Sequence, residues 1–202
     1  MAGLLAGGSL VTVDFFAVLA ALPLLQHQLG ASPGQLQLVV AGYAIVTACT
    51  MVIGGRLGDA WGRRRVLLAG LALFALGALG AALAHTAAAI VSLRLVQGLG
   101  GALAQPQVLA LMTLNADPAQ RTRVFGAYTA TLAMAAVSAQ LVAGALVQWL
   151  PPEFAWRGSF LLTLPLCAAA ALLTRGVVDC PRDATPHVDL VGALRLAGGG
   201  GA

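Results

Sequence analysis

Six long apolar runs follow one another along this chain, at residues 4–25, 38–57, 66–84, 89–114, 124–150 and 158–174, and none holds more than one charged residue. A hydrocarbon layer about 30 Å thick takes about 20 helical residues to cross, so each run has the length of a membrane span. Backbone amides and carbonyls find no water in hydrocarbon, so each run must satisfy them internally, as a helix. Composition closes the other routes. Apolar residues of the AVILMFWYC set make up 59% of the chain and charged residues 9%, against about 45–50% and about 25% in soluble domains. Too little polar surface exists to cover a water-soluble globule, and so apolar a chain is not a disordered one. The first run lacks a basic lead-in and a small-residue cleavage site, which marks it as a retained helix and not a secretory signal. The prediction is an all-α membrane protein: a six-helix bundle over residues 1–175, then a polar linker over 176–202.

The net charge of +4 rests on 11 arginines and no lysine. The loops after the second and fourth runs and the segment after the sixth carry Arg56, Arg63, Arg64, Arg65, Arg121, Arg123, Arg175, Arg182 and Arg195, whereas the intervening loops carry only Arg157. Cytoplasmic loops collect arginine and lysine, so both ends of the segment are expected in the cytoplasm, with the bundle in the inner (plasma) membrane. Arginines so placed are topology signals, and no nucleic-acid partner is expected. Trp149 and Trp156 flank the outer loop and Trp61 the inner one, which suggests interface anchors. Cys49, Cys167 and Cys180 are odd in number and scattered, giving neither a disulfide framework nor metal-ligand spacing. No metal or cofactor is expected, and no Ser/His/Asp set or phosphate loop suggests an enzyme.

Two segments exceed what a generic span needs. Between the second and third runs stands Gly55-Arg56-Leu57-Gly58-Asp59-Ala60-Trp61-Gly62-Arg63-Arg64-Arg65. Glycines suit a tight turn, and an acid beside several arginines makes a charge lock able to break and re-form. In the fourth run stands Arg94-Leu95-Val96-Gln97-Gly98-Leu99-Gly100-Gly101. An intramembrane arginine costs about 2.5–3.5 kcal/mol on insertion scales, so Arg94 should face a cavity or a partner. Gly98 and Gly101 would thin one helix face for close packing.

Together these segments resemble the major facilitator superfamily of transporters. Gly55, Asp59, Gly62, Arg63 and Arg64 are similar to its signature loop between the second and third helices, whose acid and arginines gate the change between inward- and outward-facing states. The Arg94 string is similar to the fourth-helix motif of proton-coupled members, which ties Arg94 to proton transfer. Asp14 followed by Ala21-Leu22-Pro23, and Trp156-Arg157-Gly158-Ser159-Phe160 with Pro165, resemble the fourteen-helix drug:proton antiporters. Phe16 and Leu19 depart from that pattern, as does Ala139-Gln140-Leu141-Val142-Ala143-Gly144, which lacks the proline and two of the glycines of the fifth-helix antiporter motif.

The resemblance implies two inverted three-helix repeats, with the first and fourth spans in equivalent places beside a central cavity. Those spans carry Asp14 and Arg94, the pair expected to couple protons. Burial favours a neutral carboxyl and an opposite charge favours the carboxylate, so an Asp14 moved between such environments would carry a proton. Gln97, Gly98, Gly101, Gln140 and Gly144 are expected to line the cavity or pack helices, as is Gln105. His27, His85 and His187 lie outside the spans. Members have twelve or fourteen helices, so the six here read as the N-terminal half of a fragmented or truncated transporter. Val188-Asp189-Leu190-Val191-Gly192-Ala193-Leu194 looks like the start of a seventh helix. The expected partners are protons, a small-molecule substrate, the lipid bilayer and the missing C-terminal half. Efflux of amphipathic compounds by proton antiport is the leading reading. A proton-coupled metabolite importer and a non-transporting half-protein stay open beside it.

Overall fold

The computed structural model describes residues 2–177 and residue 179. These residues form seven helices: α1 (Ala2–Leu29), α2 (Pro33–Trp61), α3 (Arg63–Leu83), α4 (Ala87–Leu114), α5 (Arg121–Trp149), α6 (Pro152–Leu161) and α7 (Thr163–Leu173). The last two make one crossing, so six apolar helical segments are long enough to span a membrane. Pro165 explains the interruption at Leu162. A proline has no N–H for the carbonyl four residues earlier, and its ring crowds that position; α6 ends at that residue, Leu161. The expected start of a seventh helix, and with it Cys180, Arg182, His187 and Arg195, lies outside the described residues.

The links between crossings are shorter than the polar stretches in the sequence suggest. Residues 26–37 read as a loop, yet α1 runs to Leu29 and α2 starts at Pro33. Ser32 makes the early start possible. Its hydroxyl accepts from the Gln35 backbone N–H while the Gln35 side-chain Oε1 accepts from Ser32 N–H, a reciprocal cap of two orphan donors. The signature segment at residues 55–65 is likewise a helix and not a loop. α2 continues through Trp61, and one residue, Gly62 at φ +97°, turns the chain into α3. That backbone angle is costly for any residue with a Cβ.

Two apolar clusters show that the crossings alternate in direction. One gathers Leu4 and Leu10 of α1, Leu67 of α3, Leu111 of α4 and Ala170 of α7 at the arginine-rich end. The other gathers Leu25, Val39, Ala82, Ile90, Trp156 and Phe160 at the far end. Trp156 is therefore 1% exposed, in contrast to Trp61 and Trp149, which are 63% and 78% exposed. Trp156 departs from the anchor reading: its ring lies edge-on to Phe160 inside the core.

The two halves of the chain are exchanged in space. α4 packs against α2 and α3, and α1 packs against α5, α6 and α7, so the first helix of each three-crossing repeat is enclosed by the later helices of the other. Small residues bring the backbones together. A Cβ on Gly100 would strike Phe74 and Gly70 of α3, and one on Gly98 would lie 2.8 Å from the Tyr43 carbonyl of α2. Of the glycines singled out from the sequence, Gly98 makes such a close approach. Gly101 makes ordinary contacts from 3.4 Å, and the tight α3 approach belongs to Gly100.

Candidate functional site

α1 and α4 meet at the middle of the bundle, and there the two charged residues of their interiors pair. Asp14 and Arg94 are both 0% exposed and form a salt bridge between Asp14 Oδ2 and Arg94 Nη1. Gln97, one turn along α4 from Arg94, closes a triangle. Its Nε2 donates to Asp14 Oδ1 at 3.0 Å, and its Oε1 accepts from Arg94 Nη1 at 2.9 Å. Arg94 Nε donates to the Val39 carbonyl of α2 at 3.0 Å, and the Tyr43 ring lies 4.1 Å from the guanidinium carbon. An arginine held over an aromatic face gains from the ring quadrupole, all the more when desolvated. Snorkelling to the membrane surface, the other fate open to Arg94, is excluded by these contacts.

The site is not saturated. Arg94 Nη2 and the Tyr43 hydroxyl are buried with no protein hydrogen-bond partner among the described residues. The Asp14 carboxylate is held by one cation, Arg94, and one amide donor, Gln97, in a network that ties α1 to α4.

Tyr43 and the Val39 carbonyl were not legible in the sequence as parts of this site. One signal was available: tyrosines favour the membrane interface, yet Tyr43 sits ten residues inside α2. Thr47, one turn on, bridges to the Gly98 carbonyl at 3.1 Å and fixes the register of α2 against α4. Gln105 belongs to a second, separate bridge. It donates to the Gly8 carbonyl of α1 at 3.2 Å and accepts from the Tyr128 hydroxyl of α5 at 3.3 Å.

At the arginine-rich end, Asp59 pairs with Arg63 across the α2–α3 junction. The Asp59 side chain is 48% exposed, so this pair adds little to stability. Arg64 N–H donates to Asp179 Oδ1 at 3.2 Å, which brings the segment after α7 to the same junction. Gly55 makes only ordinary contact with Pro106. Gln140 and Gly144 make no helix contact of the kind seen for Gly98 among the described residues. Both are exposed on α5, and nothing lies within 4 Å of a Cβ built on Gly144. Among the described residues no group of three His, Cys, Asp or Glu is placed to hold a metal ion.

The family model described as Major Facilitator Superfamily matches residues 4–194. The cephamycin export protein CmcT of Amycolatopsis lactamdurans is 33% identical over 94% of this chain and 39% of its own length. The lincomycin resistance protein of Streptomyces lincolnensis is 35% identical over 92% of this chain and 38% of its own. The chain thus spans well under half the length of these relatives. Among solved structures, the inward-open xylose transporter XylE from E. coli superposes with a TM-score of 0.74 at 20% identity, over 96% of this chain and 50% of that one. That likeness concerns the fold.

Proposed function

The chain belongs to the major facilitator superfamily, and from that premise we propose that it is the N-terminal half of a proton-coupled exporter of small amphipathic molecules, with Asp14 as the proton-accepting group. The observation that carries this reading is the fully buried Asp14–Arg94–Gln97 triangle, which ties the first helix of one repeat to the first helix of the other. Protonating Asp14 leaves Arg94 without its counter-charge, so the hold of α1 on α4 loosens. Arg94 keeps its Val39 and Tyr43 contacts meanwhile. Loss of the proton restores the counter-charge, and α1 closes on α4 again. Export of antibiotic-like compounds is supported by the relatives named for cephamycin export and lincomycin resistance. The Asp59–Arg63 pair beside the Gly62 turn is suited to a gate, since a weak exposed pair can break at small cost. The apolar faces left open on α2 and α5, among them Ile45, Val52, Met134 and Leu141, suit contact with lipid and with a second six-helix half.

In inside-out vesicles carrying the complete transporter and an internal pH dye, added substrate should raise the pH of an acidified lumen. Protons would leave as substrate enters. Acidification instead would mean symport and overturn export; no proton movement would overturn coupling.

Orientation follows from the arginines. Arg63, Arg64, Arg65, Arg121, Arg123 and Arg175 gather at one end and Arg157 stands at the other, which supports a cytoplasmic basic end in the inner membrane. Reporter fusions after Leu29 or His85 should report a periplasmic position, and fusions after Arg65 or Arg123 a cytoplasmic one. The reverse pattern would move the Asp59 gate to the wrong side.

A further inference from the structure

Gln107 lies on α4 one residue after Pro106. It is fully buried, and it takes no part in the Asp14 cluster. Its Nε2 donates to the Gly54 carbonyl of α2 at 2.7 Å. The same amide covers Gly58 so closely that a Cβ there would overlap it. Gly54 meets α4 a second time, because a Cβ on Gly54 would overlap the Ala102 carbonyl oxygen. The hydrogen that occupies that direction instead points at the oxygen, in the manner of a Cα–H···O contact.

Ala102 is four residues before Pro106, and proline has no N–H with which to bond it. The carbonyl that Pro106 releases on α4 is thus the one that receives the α2 glycine. Gln107, the next residue, returns a strong donor to the carbonyl of that same glycine. A buried donor and acceptor separated without replacement cost more than the bond itself contributes. α2 must therefore follow α4 at this point.

We propose that Gln107 is a positioning residue that couples the Asp14–Arg94 pair to the Asp59 gate. α4 carries Arg94 thirteen residues before Gln107, about 20 Å away along the helix. α2 carries Asp59 five residues beyond Gly54. Pro106 supplies the point at which α4 can bend with least loss, and the clasp turns that bend into displacement of the base of α2. The inference rests on the transporter reading above.

The test uses the complete transporter with its own cysteines replaced and one reporter cysteine introduced by Ala60→Cys. Its rate of modification by a water-soluble maleimide reports the gate. Asp14→Asn, which mimics the protonated state, should change that rate by about tenfold. With Gln107→Met, which keeps length and volume but has no amide donor, the same Asp14→Asn change should shrink to about twofold or less. Substrate affinity, measured by equilibrium binding, should stay unaltered, as a merely packing role would not predict. A tenfold response that survives in Gln107→Met overturns the clasp and leaves the transporter reading standing. No response to Asp14→Asn even with Gln107 in place overturns both. Should Gln107→Met fail to reach the membrane, Gln107→Leu also removes the amide donor with a more compact apolar side chain, and the same outcomes apply.

Discussion

Asp14→Asn in the complete transporter will abolish uphill accumulation of substrate while downhill movement continues. Asn keeps the size of Asp and an oxygen able to accept from Arg94 Nη1, so the contacts around Arg94, Gln97, Val39 and Tyr43 have every reason to persist. The negative charge is lost, and with it the exchangeable proton. One proton falling through one pH unit yields about 1.4 kcal/mol, which is about a tenfold concentration ratio. Vesicles with such a gradient should therefore reach about tenfold accumulation with Asp14 and no more than equality with Asn, measured with labelled substrate at steady state. Counterflow, in which one substrate molecule exchanges for another, needs no net proton transfer and should survive. Undiminished accumulation would make Asp14 a packing residue and remove the basis for proton coupling.

Arg94→Ala should be the most destabilising single change in the bundle. It leaves Asp14 buried with Gln97 Nε2 as its remaining donor and Gln97 Oε1 without Arg94, together with the space of a large side chain that is 0% exposed. Removal of one partner from a buried ion pair costs about 3–5 kcal/mol, a large share of the stability of a typical domain, about 5–15 kcal/mol. Asp14→Asn should cost less, because Asn keeps the volume of the side chain and an oxygen for Arg94 Nη1 even though the guanidinium loses its counter-charge. The informative measurement is the cycle. If the pair is coupled, Arg94→Ala made in an Asp14→Asn background should lose about 0.5–3 kcal/mol less than in the parent, read from unfolding midpoints in one detergent. Additive losses would mean that the two side chains share a location without depending on each other.

Six crossings, their alternation and the two charged residues that meet were legible from the sequence because hydrocarbon penalises charge so heavily. A carboxylate and a guanidinium inside spans must find something, and here they find each other. The same solvent hid the rest. In water, a helix marks its buried face by apolar residues, but in a membrane both faces are apolar. Nothing in the residues of α5 says that Gln140 and Gly144 face outward, or in those of α6 that Trp156 faces inward. Packing had to be read from small residues, and neighbouring glycines in one string compete for that role. The sequence drew attention to Gly98 and Gly101, while Gly100 touches α3 and Gly54 and Gly58 touch α4. Polar segments were also overcounted as loops. Arg56 and Asp59 lie on helix because α2 needs a single glycine, Gly62, to end. Gln107 was invisible for a different reason: its partner is a backbone carbonyl, which leaves no complementary side chain to search for.

The exchange of helices between the two repeats has a consequence for how the protein is made. A ribosome delivers α1 long before α5, α6 and α7, the helices that enclose it, and Asp14 precedes Arg94 by 80 residues. At about 5–20 residues per second, the first three crossings wait some seconds for the fourth. During that interval a carboxyl group sits in the bilayer or the insertion channel with no counter-ion of its own chain, at a cost of about 2.5–3.5 kcal/mol if charged at mid-membrane. A polypeptide interrupted after α3 would be inserted but uncompleted, its central helix bare. Arrival of α4 gives Asp14 its counter-ion, and α5, α6 and α7 then enclose α1. A pause in translation just before residue 87 would therefore prolong the interval in which the carboxyl group stands without a partner.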